Sequence, residues 1–501
     1  MKRRLYAPAV LFIGLLSAQI VATIHVYLSD LNLQRSAAAV RQMGYLAVPN
    51  AIVAARLDSL TTAMAGGLFF TLSIGAGLSL ATLIAVWLWD RVLRRRRLAA
   101  IFFGIAWFTV LLVANGNGWN PAATGYIVVV PLVTASAALR LLPPRTSLDS
   151  PAGIIWPVAA VVILALLWSM VLGHNLFINI RDYLLLPSRI GRSITDAYYR
   201  YTLFPAEAFK SLQQKQIRTC VLDSSLAGAE RKRIEAVLRA HDYLSLTAGH
   251  SADLTVGWSA PQKRFLLEHH RQIMLTVSRQ ELLRRSDTVL KAFSDRCDRN
   301  RMFRPLTLIG LLLGFPLVLF SFFFGGLRLL ISLFLPVAGA DLITALLCIA
   351  LGVILLAPVY RGQRNAVPAA DPAGALSAPA LLTRIDALRQ AYDNHRDIAA
   401  EAHRLKLVDS PHIAVRYWLA RSLAYAEAPP APAMLQTLAG DAVSIVACQA
   451  LWAMGERGDP AAVPKIIARI DASPHWYIQM YAYRALRKLG WIQPRSPQIS
   501  Y

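Results

Sequence analysis

The chain has 501 residues, 56% of them hydrophobic and 16% charged, with a mean hydropathy of +0.45. Soluble domains carry about a quarter charged residues, so this balance argues against an ordinary water-soluble globule and for lipid. The net charge of +23 does not make a nucleic-acid binder, because the basic residues gather at the ends of apolar runs or mix with acidic ones, and no aromatic-plus-basic binding motif is present; no nucleic-acid partner is expected, and attraction to anionic lipid head groups accounts for the surplus.

Lys2, Arg3 and Arg4 precede an apolar run, Tyr6 to Leu28. It is longer than the core of a signal peptide and lacks a convincing cleavage site, so an uncleaved first span with a cytoplasmic N-terminus is expected. Ser29 to Met64 keeps a helical spacing (Leu31, Val40, Met43, Leu46) and is expected to lie along the membrane surface. A second span, 65–89, ends at Trp87 and Trp89 before Arg91 and the block Arg94 to Arg97, a strong positive-inside signal. At 1.5 Å per residue it covers ~30 Å of hydrocarbon. Spans at 98–114, 122–142 and 152–173 complete a membrane domain over 1–173, with the polar turn Asn115 to Pro121 between the first two of these. The basic residues of the short connections place 174–304 outside the cytoplasm.

That extracytoplasmic module opens with a tyrosine- and arginine-rich stretch, Ile178 to Leu212, for which two readings are open: a helix in the head-group layer, or packing against the soluble part. From Ile217 the pattern is that of a small α+β unit. Strands are expected at 217–222, 254–258, 265–267 and 273–277, with helices at 229–241 and 279–297. A membrane hairpin follows over 305–360, with spans at 306–324 and 342–359 and a break at Gly325-Gly326. Two crossings give seven spans and leave the C-terminus outside. A third, over 327–340, would place it in the cytoplasm, an option that Arg361 and Arg364 favour on charge. Residues 361–379 read as a linker.

From Leu381 the chain is helical with short breaks. Ser410-Pro-His-Ile-Ala-Val-Arg416 leads to Leu423, Asp441 leads to Ala450-Leu451, and Ser473-Pro-His475 leads to Ala485-Leu486 and a closing Leu489-Gly490. These segments, with the helix start at Asp459-Pro460, resemble HEAT-like repeats of the short type known from phycobilisome lyases. The resemblance covers about 411–489 of a C-terminal module over 380–501. It implies stacked helix pairs that present a face to a partner protein, and it carries no bilin chemistry, since nothing in this chain marks a bilin site.

Residues with possible chemistry are few. Cys220 and Cys297 share the module placed outside the cytoplasm; a disulfide between them and two buried thiols are both open readings. Glu268-His269-His270 lacks the spacing that sets two imidazoles on one helical face, so no metal site is expected. No catalytic or cofactor-binding constellation is found. Within the apolar runs, Arg328 and Asp341 stand out as ionisable residues near a helix break.

The expected fold class is thus a polytopic α-helical membrane protein of about seven spans, with a small α+β extramembrane module and a C-terminal α-solenoid of HEAT-like repeats. The expected role is an inner-membrane scaffold or accessory subunit. Trp476, Tyr477, Tyr481, Arg484 and Arg487 are the candidate partner-binding face, with burial of Trp476 and Tyr481 in the repeat core equally open. The alternative is a permease or lipid-handling subunit of a transport complex. Beyond membrane lipids, no particular partner or cofactor is implied.

Overall fold

The structure, a computed structural model of the chain, describes residues 5–142, 152–226, 228–247, 249–364 and 372–494. Among these residues, six helices are long and apolar enough to cross a membrane: α1 (Tyr6–Gln42), α2 (Leu60–Arg91), α3 (Arg97–Ala114), α4 (Pro121–Leu141), and two later ones at Phe303–Ile331 and Gly339–Gln363. A seventh apolar helix, α5 (Ala152–Ser169), is shorter in its described apolar part.

One feature of α1 differs from the sequence expectation. The polar stretch after Leu28 is no separate surface helix; α1 runs on unbroken to Gln42. Its extension lays Ala39 and Val40 against Leu244 and Leu246 of the α/β unit, so this part of α1 is buried against a folded module. The chain then turns through residues 43–59, where Asn50 and Ser59 each cap a helix start by accepting a backbone N–H three residues on.

Next come two helices, α6 (Arg189–Tyr201) and α7 (Leu203–Phe209), after a short helical piece at Leu176–Asn179 and a π-helical turn at Ile180–Leu185. The α/β unit is a five-stranded sheet in the order β2-β1-β3-β4-β5. Its strands are β1 (Arg218–Leu222), β2 (Tyr243–Ser245), β3 (Leu254–Ser259), β4 (Arg264–His269) and β5 (Gln272–Val277). Helix α8 (Gly228–Ala240) links β1 to its parallel neighbour β2, while β3, β4 and β5 form an antiparallel meander. Helices α9 (Arg279–Arg284) and α10 (Ser286–Cys297) close the unit. The single helix expected at 279–297 is broken at Arg285, which has left the helical region with φ −127°. Strand β2, three residues long, was not among the expected strands.

Helix α11 (Phe303–Ile331) passes straight through Gly325 and Gly326, where a break was expected. Glycine costs a helix roughly 1 kcal/mol, too little to end one whose apolar flanks are packed, and Gly325 gives room for Pro8 of α1. Helix α12 (Val337–Arg364) returns alongside α5. At the turn between α11 and α12 the structure brings together the two ionisable residues that the sequence singles out: an Arg328 Nη donates to Asp341 Oδ2 at 2.9 Å.

The tightest crossing joins α2 to α11. Each carries a π-helical turn, Thr71–Gly75 and Gly310–Gly314, and the two turns face each other. Here Ser73-x-x-x-Gly77 meets Gly310-x-x-x-Gly314, a pairing of small residues that lets backbones touch. A Cβ on Gly314 would stand 2.7 Å from the Cα and N of Gly77.

Candidate functional site

The C-terminal region consists of helices α13 (Leu381–Asp393), α14 (Ala399–Arg404), α15 (Ile413–Ser422), α16 (Pro430–Ala439), α17 (Ser444–Arg457), α18 (Val463–Ala472) and α19 (Trp476–Lys488). The three inner helices begin alike. Ser410 Oγ accepts from His412 N at 3.3 Å, Asp441 Oδ1 from Val443 N at 2.8 Å, and Ser473 Oγ from His475 N at 3.2 Å. The repeated Ser and Asp therefore satisfy backbone donors where each inner helix starts. Arg416 ties successive units, its guanidinium gripping the Asp441 carboxylate at 2.6 and 3.2 Å. Gly458 ends α17 with φ +73°, a left-handed conformation suited to glycine, and Asp459 caps the next turn.

The inner surface of this array is already occupied by the chain itself. At one end, Trp418 Nε1 donates to Asp182 Oδ2 at 2.8 Å, and Arg181, bonded to the same carboxylate at 2.7 Å, lies 3.8 Å over the Tyr417 ring. Tyr183 donates its hydroxyl proton to Asp386 at 3.0 Å and accepts from Arg389 at 3.1 Å. In the middle, Tyr477 packs its ring 4.9 Å from that of Tyr199 and bonds Thr202 at 3.0 Å, while Trp476 meets Phe204 edge-on. At the far end Asn50 reaches in from the 43–59 connection. Its side-chain NH2 donates to the carbonyls of Ile470, Asp471 and Ser473 at 2.9–3.1 Å, and its backbone N–H donates to Gln479. Gln493 pairs with both backbone groups of Leu46. Arg487 and Tyr483 bind Ala240 and Asp242 of the α/β unit.

Of the five residues expected to meet a partner protein, only Arg484 is exposed. Trp476, Tyr477 and Arg487 are used to seat the array on α6, α7 and the α/β unit, and Tyr481 is half-buried against the same core. Aromatic rings and guanidinium groups make good anchors wherever a surface is desolvated, and here the surface they desolvate belongs to the same chain. The outward helices α16 and α18 leave Gln436 and Lys465 exposed, bonded to each other at 2.7 Å.

Cys220, buried on β1, and Cys297, at the end of α10, both stand as free thiols. Burial pushes both up to about 12, so neither offers a thiolate at neutral pH. An alkylating reagent at pH 7.5 is expected to spare both in the folded chain and to label both once the chain is denatured. Cysteines that resist labelling in denaturant until a reductant is added would show them paired instead. His269 bonds the Asp253 carbonyl at 2.8 Å, and among the described residues no group of three His, Cys, Asp or Glu side chains could hold a metal ion.

Two ionisable residues not singled out from the sequence lie on α1, His25 half-buried and Asp30 buried. His25 packs against the rings of Phe70, Tyr126 and Phe303, and Asp30 is buried with no hydrogen-bond partner for either carboxyl oxygen among the described residues. For His25, an ionisable side chain inside the apolar run Tyr6 to Leu28 is the signal that could have found it.

Stacked helix pairs with equivalent caps define an α-solenoid, and comparison with known families agrees: residues 401–487 match the model of HEAT repeats. The C-terminal part is thus a HEAT-like repeat region. No curated protein and no solved structure matches the chain.

Proposed function

We propose that the chain is an integral protein of a bacterial-type inner membrane, with seven spans and a cytoplasmic N-terminus, whose repeats serve as a protein-binding scaffold. HEAT-like repeats support an interaction role. The observation that carries the reading is the docking of the repeat array on residues 43–59 and 176–209, both adjoining the apolar helices. An array held by buried polar pairs at one end of a helix bundle is a fixed platform, with α16 and α18 facing outward. The contacts of Tyr483 and Arg487 with the α/β unit favour both modules lying on one side of the bilayer. That in turn favours two crossings, α11 and α12, between them. Ser-Pro starts at Ser410 and Ser473 and the Val415-Arg416 pair favour the short repeat type of phycobilisome lyases.

A second reading, a permease or lipid-handling subunit, is favoured by a polar cavity between α1 and the α/β unit. Alkaline extraction of membranes and affinity capture test the first. The full chain is expected to stay with the membrane pellet, and Lys465→Glu together with Gln436→Trp is expected to remove captured partners. A chain released as a soluble monomer ends the membrane reading, and an unchanged partner list ends the role of the outward helices.

A further inference from the structure

Beside the end of α1 lies a cavity of about 680 Å³, large enough for a small ligand. Its walls come from the extension of α1 beginning at Ser29, from α7 and the residues after it, from the α/β unit, and from Cys297 to Asn300. The charges on these walls do not cancel. Each acidic side chain is already neutralised: Glu207 by Lys210 at 2.8 Å, Asp253 by Lys215 at 2.9 Å, and Asp298 by Arg304. Asp30 is buried and does not line the space. Arg35 on α1 and Arg299 ahead of α11, both exposed, are lining residues whose guanidinium groups have no bonding partner among the described residues. Imidazoles at His250 and His270 add further donors. The rest of the wall is mixed: apolar Leu33, Val40, Val48 and Ile217 stand beside polar Asn32 and Thr219.

Unpaired arginines near apolar side chains such as Leu33 and Val40 suit an oxyanion that carries a greasy substituent. We propose that this cavity binds a phosphate-type anion through Arg35 and Arg299, borne on a lipid head group or on a soluble phosphate ester. The lining begins one residue past the apolar run Tyr6 to Leu28, which is head-group depth if that run spans a bilayer. The proposal deepens the lipid-handling reading and needs no partner protein, so its failure leaves the scaffold reading standing.

The test uses the full chain in neutral detergent with inorganic phosphate or glycerol 3-phosphate. A second arm uses bilayer discs of phosphatidylcholine with or without phosphatidylglycerol. A saturable rise in thermal midpoint is expected. A rise with phosphatidylglycerol alone assigns the anion to a lipid, and a rise with the soluble esters as well assigns it to a free phosphate group. Arg35→Gln and Arg299→Gln are each expected to weaken half-saturation about tenfold, the loss of one charged hydrogen bond, with Arg484→Gln as the unaffected control. Arginine-selective modification read by mass spectrometry needs no variant: the probe is expected to protect Arg35 and Arg299 and not Arg484. No saturable rise in either arm, a rise matched by sodium chloride at equal ionic strength, or equal modification rates with and without probe would overturn the site.

Discussion

Gly314→Leu is expected to abolish recovery of the chain as a monodisperse species, and Gly310→Leu to do nearly the same. The reason is what surrounds them. A Cβ at Gly314 would stand 2.7 Å from two backbone atoms of Gly77, and one at Gly310 would stand 2.8 Å from the carbonyl carbon of Ser73. A flexible side chain in the way can rotate aside; a helix backbone cannot. Overpacking that side chains can absorb costs about 1–3 kcal/mol, and here a whole helix must move, so the cost lies at or above the upper figure. Against a total stability of about 5–15 kcal/mol, that is a large share. Gly326→Ala is the control, since nothing lies within 4 Å of its Cβ position. Gly→Ala in a helix interior gains about 0.5–1 kcal/mol. Gel filtration and thermal midpoints in one detergent compare the three. A Gly314→Leu chain that melts with wild type would refute the close crossing.

The parts legible in the sequence were those governed by local pattern. The apolar runs fall on helices, although α1 runs on to Gln42 and α11 to Ile331, and the Ser and Asp starts at Ser410, Asp441 and Ser473 gave the repeats, because capping is decided within three residues of the helix start. Elsewhere local pattern misled. The helical spacing of Leu31, Val40, Met43 and Leu46 read as a separate surface segment, although a helix already begun continues cheaply when a module covers it. Gly325-Gly326 looked like a break for want of knowing that Pro8 needed the space. The occupied inner face was illegible for a different reason. Trp418 and Asp182 are 236 residues apart, and nothing in either neighbourhood names the other. Trp476 and Tyr477 were marked as partner-facing by residue type, and type does not say whether the surface they desolvate is foreign or the chain's own.

Asp182→Ala is expected to undock the front of the array, exposing α13, α15 and α17 while the α/β unit stays folded. The Asp182 carboxylate is buried and serves two groups at once, the Trp418 indole and the Arg181 guanidinium. Truncation leaves that guanidinium largely enclosed over the Tyr417 ring with its charge uncompensated. Breaking a buried pair in this way costs about 3–5 kcal/mol, more than the pair itself contributes. Two milder changes separate the components. Trp418→Phe removes one neutral donor and leaves the ion pair, at about 1 kcal/mol plus the lost ring area. Asp182→Asn keeps an acceptor for the indole but not the charge, and is expected to fall between. Tyr183→Phe acts on the neighbouring pair with Asp386 and Arg389. It should combine non-additively with Asp182→Ala, because once the first contact has opened the second has little left to lose. Hydrogen exchange across residues 381–457 reads the opening directly, and limited proteolysis reads it independently. Exchange in Asp182→Ala no faster than in Trp418→Phe would mean that the buried charge does not hold the array in place, and would leave apolar contact alone to do so.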